Sequence, residues 1–274
     1  MSSPNQAGHE RLSGAWNFRD VAQTAGVFPG LLFRSSELSK LDDSGRAALT
    51  EIGVTDVADL RSPAELQRRG VGAVPDDVVI HHLPFPEVSH THADSEGAEA
   101  PHESAWQKML TEYSDEEPAE AGQRWMTGEY ERFPTLGGAQ RAVKKIITLL
   151  ADGRPTLVHC FAGKDRTGFA VAIALEAAGI DRDEILTDYL HSNSATAQLR
   201  NQILQTTRSR EGVTDEVVSF MESRLTDEVL GVREQYLSTA RRVVEENYGG
   251  LAAYLRAAGV TEADVVRLRT QLVG

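Results

Sequence analysis

The sequence predicts an α/β fold, in which helices flank a mainly parallel central sheet and a further helical region follows at the C-terminal end. Short β-branched and apolar runs, bounded by Gly, Pro and Asp, alternate with segments of helical spacing. The run Thr156–His159 leads through a glycine-containing loop into an Ala-rich helix, which is the chain order of a parallel strand–helix unit. From residue 182 onward the pattern is helical only.

The strands and helices of the sheet region can be assigned in chain order. Apolar runs predict strands at residues 31–33, 54–60, 78–85 and 156–159, and we expect those at 54–60 and 78–85 to be buried. Helical spacing predicts helices at residues 41–52, 138–150 and 168–178. The last of these is expected to end at Gly179, because glycine readily adopts the left-handed conformation that ends helices.

Two regions extend beyond this pattern, within what we expect to be a single domain of residues 1–274. Residues 87–122 are rich in Glu, Asp, Ser, Pro and His and predict a mobile acidic insertion at the surface. The region from about 181 to 274 predicts helices at 184–190, 196–208, 214–224, 227–247 and 261–272, the last begun by a capping box of Thr261 and Asp264. We expect this helical region to cover or shape the functional site.

Charge and composition exclude several classes of function. The net charge of −13 and the sequence pI of about 5.1 repel nucleic acid, so nucleic-acid binding is not expected. No run approaches the roughly 20 apolar residues that a membrane span needs, so no integral membrane association is expected. Residues 1–16 lack the apolar core of a standard secretory signal, which predicts a cytoplasmic location.

A recognisable chemical pattern lies between the predicted strand 156–159 and the helix that follows it. Cys160, the only cysteine of the chain, is followed after five residues by Arg166, and Thr167-Gly168 opens the helix. A phosphate dianion at a helix N-terminus is stabilised by inward-pointing backbone N–H groups and by the helix dipole. We therefore expect the following residues to bind phosphate: Phe161, Ala162, Gly163, Lys164, Asp165 and Arg166.

Cys160 is the candidate nucleophile of this loop. The field that binds phosphate also stabilises a thiolate over a thiol, and the planar guanidinium of Arg166 can hold two phosphate oxygens through the transition state. Thr167 is expected to donate its hydroxyl to the sulfur, and His159 is expected to orient the loop rather than act as a base. The alternative, that Cys160 is a small buried apolar side chain at a strand end, leaves the fixed spacing of the other residues unexplained.

These residues resemble the protein tyrosine phosphatase superfamily, whose signature His-Cys-x5-Arg-Thr-Gly matches residues 159–168. Further stretches resemble the bacterial branch with Gly-Lys-Asp-Arg in its loop, especially its secreted mycobacterial members. They are Asn17-Phe-Arg-Asp20, Leu32-Phe-Arg-Ser35, Ala58-Asp-Leu-Arg61 and Asp188-Tyr-Leu-x-Ser-Asn193. The resemblance covers nearly the whole chain. The acidic insertion departs from it, and so does Glu87, where such relatives carry Asp.

The resemblance implies a cysteine-phosphatase fold and an active phosphomonoesterase that forms a phosphocysteine intermediate without metal or other cofactor. It implies phosphorylated proteins as substrates, with activity on phosphotyrosine, phosphoserine and phosphothreonine, and it implies phosphoinositides as further substrates. It also implies that the C-terminal helices form a lid over the site and that the protein is secreted by a non-standard route.

The roles of three charged residues near the loop stay open at this point. Asp165 is the first candidate for the general acid, because a carboxylate beside bound phosphate is repelled unless it is protonated or directed at the bridging oxygen. Its alternative role is a salt bridge that braces Arg166 or Lys164. Glu87, which follows a predicted strand, is the alternative acid or an exposed loop carboxylate. Lys164 either contacts a second phosphate or is solvated and paired with a neighbouring carboxylate.

The remaining charged residues have simpler interpretations. Arg19, Asp20, Arg34 and Arg61 either support the loop or form structural ion pairs, and we favour ion pairs. Five of the eight histidines fall within residues 81–102 without ligand spacing, which favours a solvated His-rich loop over a metal site.

Two other classes of function compete with an active phosphatase. A pseudophosphatase would bind phosphorylated partners without turnover, but the intact set of Cys160, Arg166 and Thr167 disfavours it. A sulfurtransferase also uses a cysteine in an anion-binding loop, but the sequence Arg-Thr-Gly after the loop favours phosphate.

Overall fold

Five strands form the single sheet of this computed structural model, which describes residues 12–85, 116–210 and 212–274. The strands are β1 Arg19–Asp20, β2 Leu32–Ser35, β3 Asp56–Asp59, β4 Val79–His82 and β5 Thr156–His159. Their order in the sheet is β1-β2-β5-β3-β4, with β1 antiparallel to β2 and all other neighbours parallel. The prediction of a mainly parallel central sheet is confirmed.

Helices surround the sheet and make up most of the described C-terminal part. They are α1 Asp43–Glu51, α2 Pro63–Arg69, α3 Pro118–Arg132, α4 Gly137–Ala151, α5 Asp165–Ala178, α6 Arg182–His191, α7 Thr196–Arg208, α8 Asp215–Arg224, α9 Asp227–Leu230, α10 Glu234–Tyr248, α11 Leu251–Ala257 and α12 Glu262–Leu272. No helix among the described residues is both long enough and apolar enough to cross a membrane.

Successive residues of the central strands face opposite sides of the sheet, so an apolar core forms on each side. In β5, Val158 joins the main core, which α4 and α5 complete, and Leu157 joins a smaller core that includes Leu49 of α1. Apart from Glu176, every residue of α5 is buried. The loop before α5 is therefore held in place at the carboxyl end of β5, the central strand of the sheet.

The strand predicted at residues 78–85 is correct in type but wrong in burial. Among the described strands, β4 lies at the edge of the sheet, next to β3 only, and Val79 is 47% exposed. A run of β-branched residues indicates a strand, but it does not distinguish a central strand from an edge strand.

The helix predicted at residues 227–247 is interrupted in the structure. Helix α9 ends at Leu230, and α10 begins at Glu234. Between them, Asn193 accepts a hydrogen bond from the Val232 N–H at 2.7 Å and donates one to the Val232 carbonyl at 3.0 Å. These bonds occupy backbone groups that a continuous helix would pair internally.

The end of the predicted acidic insertion is also corrected. Helix α3 begins at Pro118, inside the range 87–122, and its residues Ala121 and Gly122 are buried. These residues therefore belong to a packed helix rather than to a mobile surface segment. Residues 87–115, the rest of the predicted insertion, lie outside the described part of the chain.

Candidate active site

The loop of residues 160–164 joins the end of β5 to the start of α5. Gly163 has a φ of +67°, and a Cβ at this position would lie 2.1 Å from the Ser35 carbonyl oxygen. A larger residue would be strained in its backbone and would also collide with the end of β2. The loop is thus closely packed against the sheet, and glycine permits that contact.

The carbonyl groups of the loop accept hydrogen bonds from surrounding parts of the same chain. Asn17 Nδ2 donates to the carbonyls of Ala162 and Gly163, both at 3.1 Å, and the Glu37 N–H donates to the Phe161 carbonyl at 3.0 Å. Arg34 also donates to the Gly163 carbonyl at 2.8 Å. By contrast, the backbone N–H groups of residues 161–166 have no acceptor in the described part of the chain. They form a set of free donors at the N-terminus of α5, which suits an anion.

Cys160 lies in this loop and is 2% exposed. Behind it, the Nδ1 atom of His159 lies 3.1 Å from the Cys160 carbonyl oxygen, and Nε2 lies 3.6 Å from the Asp59 carboxylate. Burial lowers the pKa of His159 below its ordinary value, although the Asp59 carboxylate opposes this shift. The imidazole therefore holds the backbone of Cys160 from the side of the sheet.

Arg166 is fixed by a carboxylate that the sequence analysis missed. Its guanidinium donates two hydrogen bonds of 2.8 Å to Glu65, one to each carboxylate oxygen, and a third of 3.2 Å to the Leu60 carbonyl. Burial lowers the pKa of Arg166, but the Glu65 carboxylate more than offsets this, so the pKa is raised. The Nε atom is buried without a partner among the described residues.

Glu65 is itself placed by the start of helix α2. It is the third residue of the helix and forms a reciprocal capping box with Ser62, whose N–H donates to Glu65 at 2.7 Å. The spacing Ser62-Pro-Ala-Glu65 is the local sequence signal for such a helix start. The Glu65 carboxylate thus caps the N-terminus of α2 and also orients Arg166.

The hydrogen bond predicted from Thr167 to the Cys160 sulfur is not formed in this structure. The Thr167 hydroxyl is fully buried and has no partner in the described part of the chain. It is a donor beside the loop that remains available to another group.

Asp165, the first residue of α5, is 8% exposed and lines the cavity above the loop. Its Oδ1 accepts a hydrogen bond from the Tyr130 hydroxyl at 3.1 Å, and its Oδ2 lies 3.5 Å from Lys164 Nζ. The predicted brace to Lys164 is therefore present as a long ion pair. Glu87, the alternative acid, lies outside the described residues.

Lys164 is buried rather than solvated, which corrects one of its two predicted environments. Its Nζ donates to the backbone carbonyls of Val229 and of Gly231, the latter at 3.0 Å. Burial lowers the pKa of Lys164, although the nearby Asp165 carboxylate raises it. This lysine therefore links the loop of residues 160–164 to the segment around α9.

The arginines assigned to structural ion pairs also support the loop. Arg19 and Arg34 both pair with the buried Asp188, at 2.8 Å and 2.5 Å, and Arg34 reaches the loop carbonyl of Gly163. Burial raises the pKa of Asp188, but the charges of Arg34 and Arg19 prevail and lower it to about 2. Arg61 pairs with Asp59 and Glu37, and Asp20 caps the short 3-10 helix that follows it.

Two of the five clustered histidines lie in the described part of the chain, both in β4. His81 Nε2 lies 2.6 Å from the Asp56 carboxylate, and His82 Nε2 lies 2.8 Å from the Arg61 carbonyl oxygen. Across residues 12–85, 116–210 and 212–274, no group of three or more His, Cys, Asp or Glu side chains is placed to hold a metal ion.

A cavity of about 260 Å³ lies over the loop and under the C-terminal helices. Helices α7, α8 and α9 contribute apolar side chains to its walls, among them Leu199, Ile203 and Met221. The same helices pack on Ala162 of the loop through Leu199 and Leu230, in an apolar cluster separate from the main core. The C-terminal helices therefore cover the loop.

Comparison with known proteins agrees with this geometry. The model of the tyrosine phosphatase family matches residues 10–274. The chain belongs to the tyrosine phosphatase family. It is 54% identical over 274 residues to the triple specificity protein phosphatase PtpB of Mycobacterium tuberculosis, covering 96% of this chain and 98% of that protein.

Two more distant relatives belong to other bacteria. The chain is 29% identical over 262 residues to a putative tyrosine-protein phosphatase of Cupriavidus necator, covering 92% of this chain and 84% of that protein. It is 28% identical over 261 residues to a tyrosine-protein phosphatase of Nostoc commune, covering 93% and 78%. The chain is therefore a phosphatase, and its substrates are phosphorylated molecules.

Three side chains of this phosphatase site escaped the sequence analysis as site residues. Glu65 had a local signal in its capping box, and Asn17 lay in a stretch quoted only for family resemblance. Tyr130 had none, because it lies inside an unremarkable helix and reaches Asp165 only through the tertiary fold.

Proposed function

We propose that this phosphatase hydrolyses phosphate monoesters through a phosphocysteine intermediate at Cys160. The main support is the set of free backbone N–H donors of residues 161–166 around that cysteine, at the N-terminus of α5. Arg166 adds a buried guanidinium, held in one orientation by Glu65. Together these groups supply positive potential locally, in a protein whose net charge is −13.

In the first step, the Cys160 thiolate attacks phosphorus, and an S–P bond forms as the P–O bond to the leaving group breaks. Arg166 and the loop N–H groups stabilise the charge on the transferring phosphoryl group. Asp165 donates a proton to the leaving oxygen. In the second step, water attacks the phosphocysteine, Asp165 accepts its proton, and the S–P bond breaks to give inorganic phosphate and the thiolate.

The substrates we propose are phosphotyrosine first, together with phosphoserine, phosphothreonine and phosphoinositides. The apolar walls of the cavity suit the ring of phosphotyrosine, and Phe161, with Arg69 stacked 4.0 Å from its ring centroid, forms one of them. The similarity to PtpB, a triple specificity protein phosphatase, supports the wider range. Secretion by a non-standard route stays a prediction.

The test is turnover of para-nitrophenyl phosphate by the purified protein and by Cys160→Ser. We expect the protein to be active, inhibited by vanadate and unaffected by EDTA, and we expect the variant to bind vanadate without turnover, because its N–H donors remain. Appreciable activity in Cys160→Ser would contradict the mechanism. A parallel comparison of phosphopeptides with phosphoinositides measures the substrate range, and turnover of phosphopeptides alone would refute the lipid part.

A further inference from the structure

The Asp165 carboxyl accepts a hydrogen bond from the first of two buried tyrosines whose hydroxyls are linked. The Tyr189 hydroxyl donates to the Tyr130 hydroxyl at 2.7 Å, and the Tyr130 hydroxyl donates to Asp165 Oδ1 at 3.1 Å. Asp165 lines the cavity, whereas neither tyrosine is among the residues that do so. The two hydroxyls therefore act on the carboxyl from the protein interior and do not meet the substrate.

Both hydroxyls of this hydrogen-bond chain lie in a buried environment that keeps them protonated. Tyr130 and Tyr189 are 0% and 1% exposed. Burial raises the pKa of both hydroxyls well above the ordinary value for tyrosine, and the nearby Asp165 carboxylate adds to this. Both groups therefore keep their protons, and each can donate toward Asp165. A donor that itself accepts a hydrogen bond is polarised and donates more strongly.

The positions of the two rings are constrained by packing. Tyr130 packs against Phe133 and Tyr236, with ring centroids 4.9 Å and 5.6 Å away. Tyr189 packs against the start of α5, where a Cβ at Gly168 would lie 2.9 Å from its ring. The final glycine of the signature thus leaves room for Tyr189, which connects the signature to the tyrosine pair.

We propose that Tyr130, aligned by Tyr189, is a positioning residue that fixes the Asp165 carboxyl for proton transfer. Because Oδ1 accepts the hydrogen bond from the Tyr130 hydroxyl, the proton that Asp165 transfers to the leaving group is carried on Oδ2. The inference rests on the proposed role of Asp165 as the general acid. The two tyrosine hydroxyls act on the site through Asp165 alone and not through Cys160 or Arg166.

The test measures kcat/KM for aryl phosphates of increasing leaving-group basicity, from para-nitrophenyl to phenyl phosphate. A general acid matters most for the poorer leaving group. We expect Tyr130→Phe to lose about 10-fold on phenyl phosphate, the scale of one lost hydrogen bond, and less than about 3-fold on para-nitrophenyl phosphate. Tyr189→Phe should give a smaller loss of about 3-fold on phenyl phosphate, because it weakens the Tyr130 donor without removing it.

Tyr254→Phe provides a matched control. Tyr254 is also 0% exposed in the same core, but its hydroxyl has no partner in the described part of the chain. Its variant should keep the wild-type dependence on the leaving group. The double variant Asp165→Asn with Tyr130→Phe should be no more sensitive to the leaving group than Asp165→Asn alone, because both changes act on one proton transfer.

Three outcomes separate the possibilities. If Tyr130→Phe loses rate equally on all leaving groups, or no more than Tyr254→Phe, the positioning role is refuted while the acid role of Asp165 stands. If Asp165→Asn itself shows no dependence on the leaving group, the acid role fails, and this inference fails with it. Thermal unfolding of each variant shows which proteins are folded, and Tyr189→Phe carries the same test if Tyr130→Phe does not fold.

Discussion

Replacing Glu65 by Gln would test how Arg166 is held ready for phosphate. The two side chains are joined by two hydrogen bonds of 2.8 Å and are only 5% and 3% exposed. Removing one partner of a buried ion pair costs about 3–5 kcal/mol, because the other charge stays buried without compensation. Glutamine keeps one acceptor oxygen for the guanidinium, so we expect the free energy of unfolding to fall by about 3 kcal/mol.

The rate should fall as well, because a single remaining acceptor no longer fixes the plane of the guanidinium. We expect a loss of about 100-fold in kcat for para-nitrophenyl phosphate, the scale of a small misplacement in an active site. Vanadate should raise the Tm of the variant more than that of the wild type, because the bound anion replaces the missing negative charge beside Arg166. Urea unfolding, initial rates and thermal unfolding measure the three effects.

Glu37→Gln is the matched control for this experiment. Glu37 is also buried and paired with arginines, at 3.1 Å to Arg61 and 2.9 Å to Arg69, whereas the ion pair of Arg166 is with Glu65. It should lose a similar amount of stability with a much smaller loss of rate. A wild-type rate in Glu65→Gln, or equal rate losses in the two variants, would refute the role assigned to Glu65.

Two further predictions concern groups around the loop. Folding lowers the pKa of Asp188 from 3.8 to about 2, so its ionised form contributes about 2 kcal/mol above pH 4. That contribution is lost as the pH falls toward 2, and unfolding of Asp188→Asn should depend less on pH in this window; an unchanged slope would contradict the pairing. Lys164→Met loses the hydrogen bonds to the carbonyls of Val229 and Gly231, so proteolysis within residues 226–233 should accelerate. Unchanged cleavage would show that these bonds do not hold this segment over the loop.

The elements of the fold that carry the candidate site, and that the sequence predicted correctly, are contiguous in the chain. Strand Thr156–His159, the loop after it and helix α5 follow one another, so residue type and spacing specify them locally. The glycine at 163 was predicted because a bend is needed there, and the structure adds the close Ser35 carbonyl that enforces it.

The parts that the sequence did not predict depend on contacts between distant segments. Glu65 lies 101 residues before Arg166, and Asn17 lies 145 residues before Ala162. Local periodicity carries no information on which distant side chains meet. The burial of Lys164 depends likewise on the break between α9 and α10. Asn193, which lies between α6 and α7, stabilises this break. Predicting these features requires the tertiary fold.

The central claim is that a phosphoryl group passes through the sulfur of Cys160. Rapid quenching with denaturant of the reaction with a phosphotyrosine peptide, followed by protease digestion at alkaline pH and mass spectrometry, tests this directly, because the chain has a single cysteine. We expect one phosphoryl group on the peptide that contains Cys160, appearing within the first turnover and absent from Cys160→Ser. A phosphoryl group on any other residue, or rapid turnover with no trapped adduct at any quench time, would contradict the account.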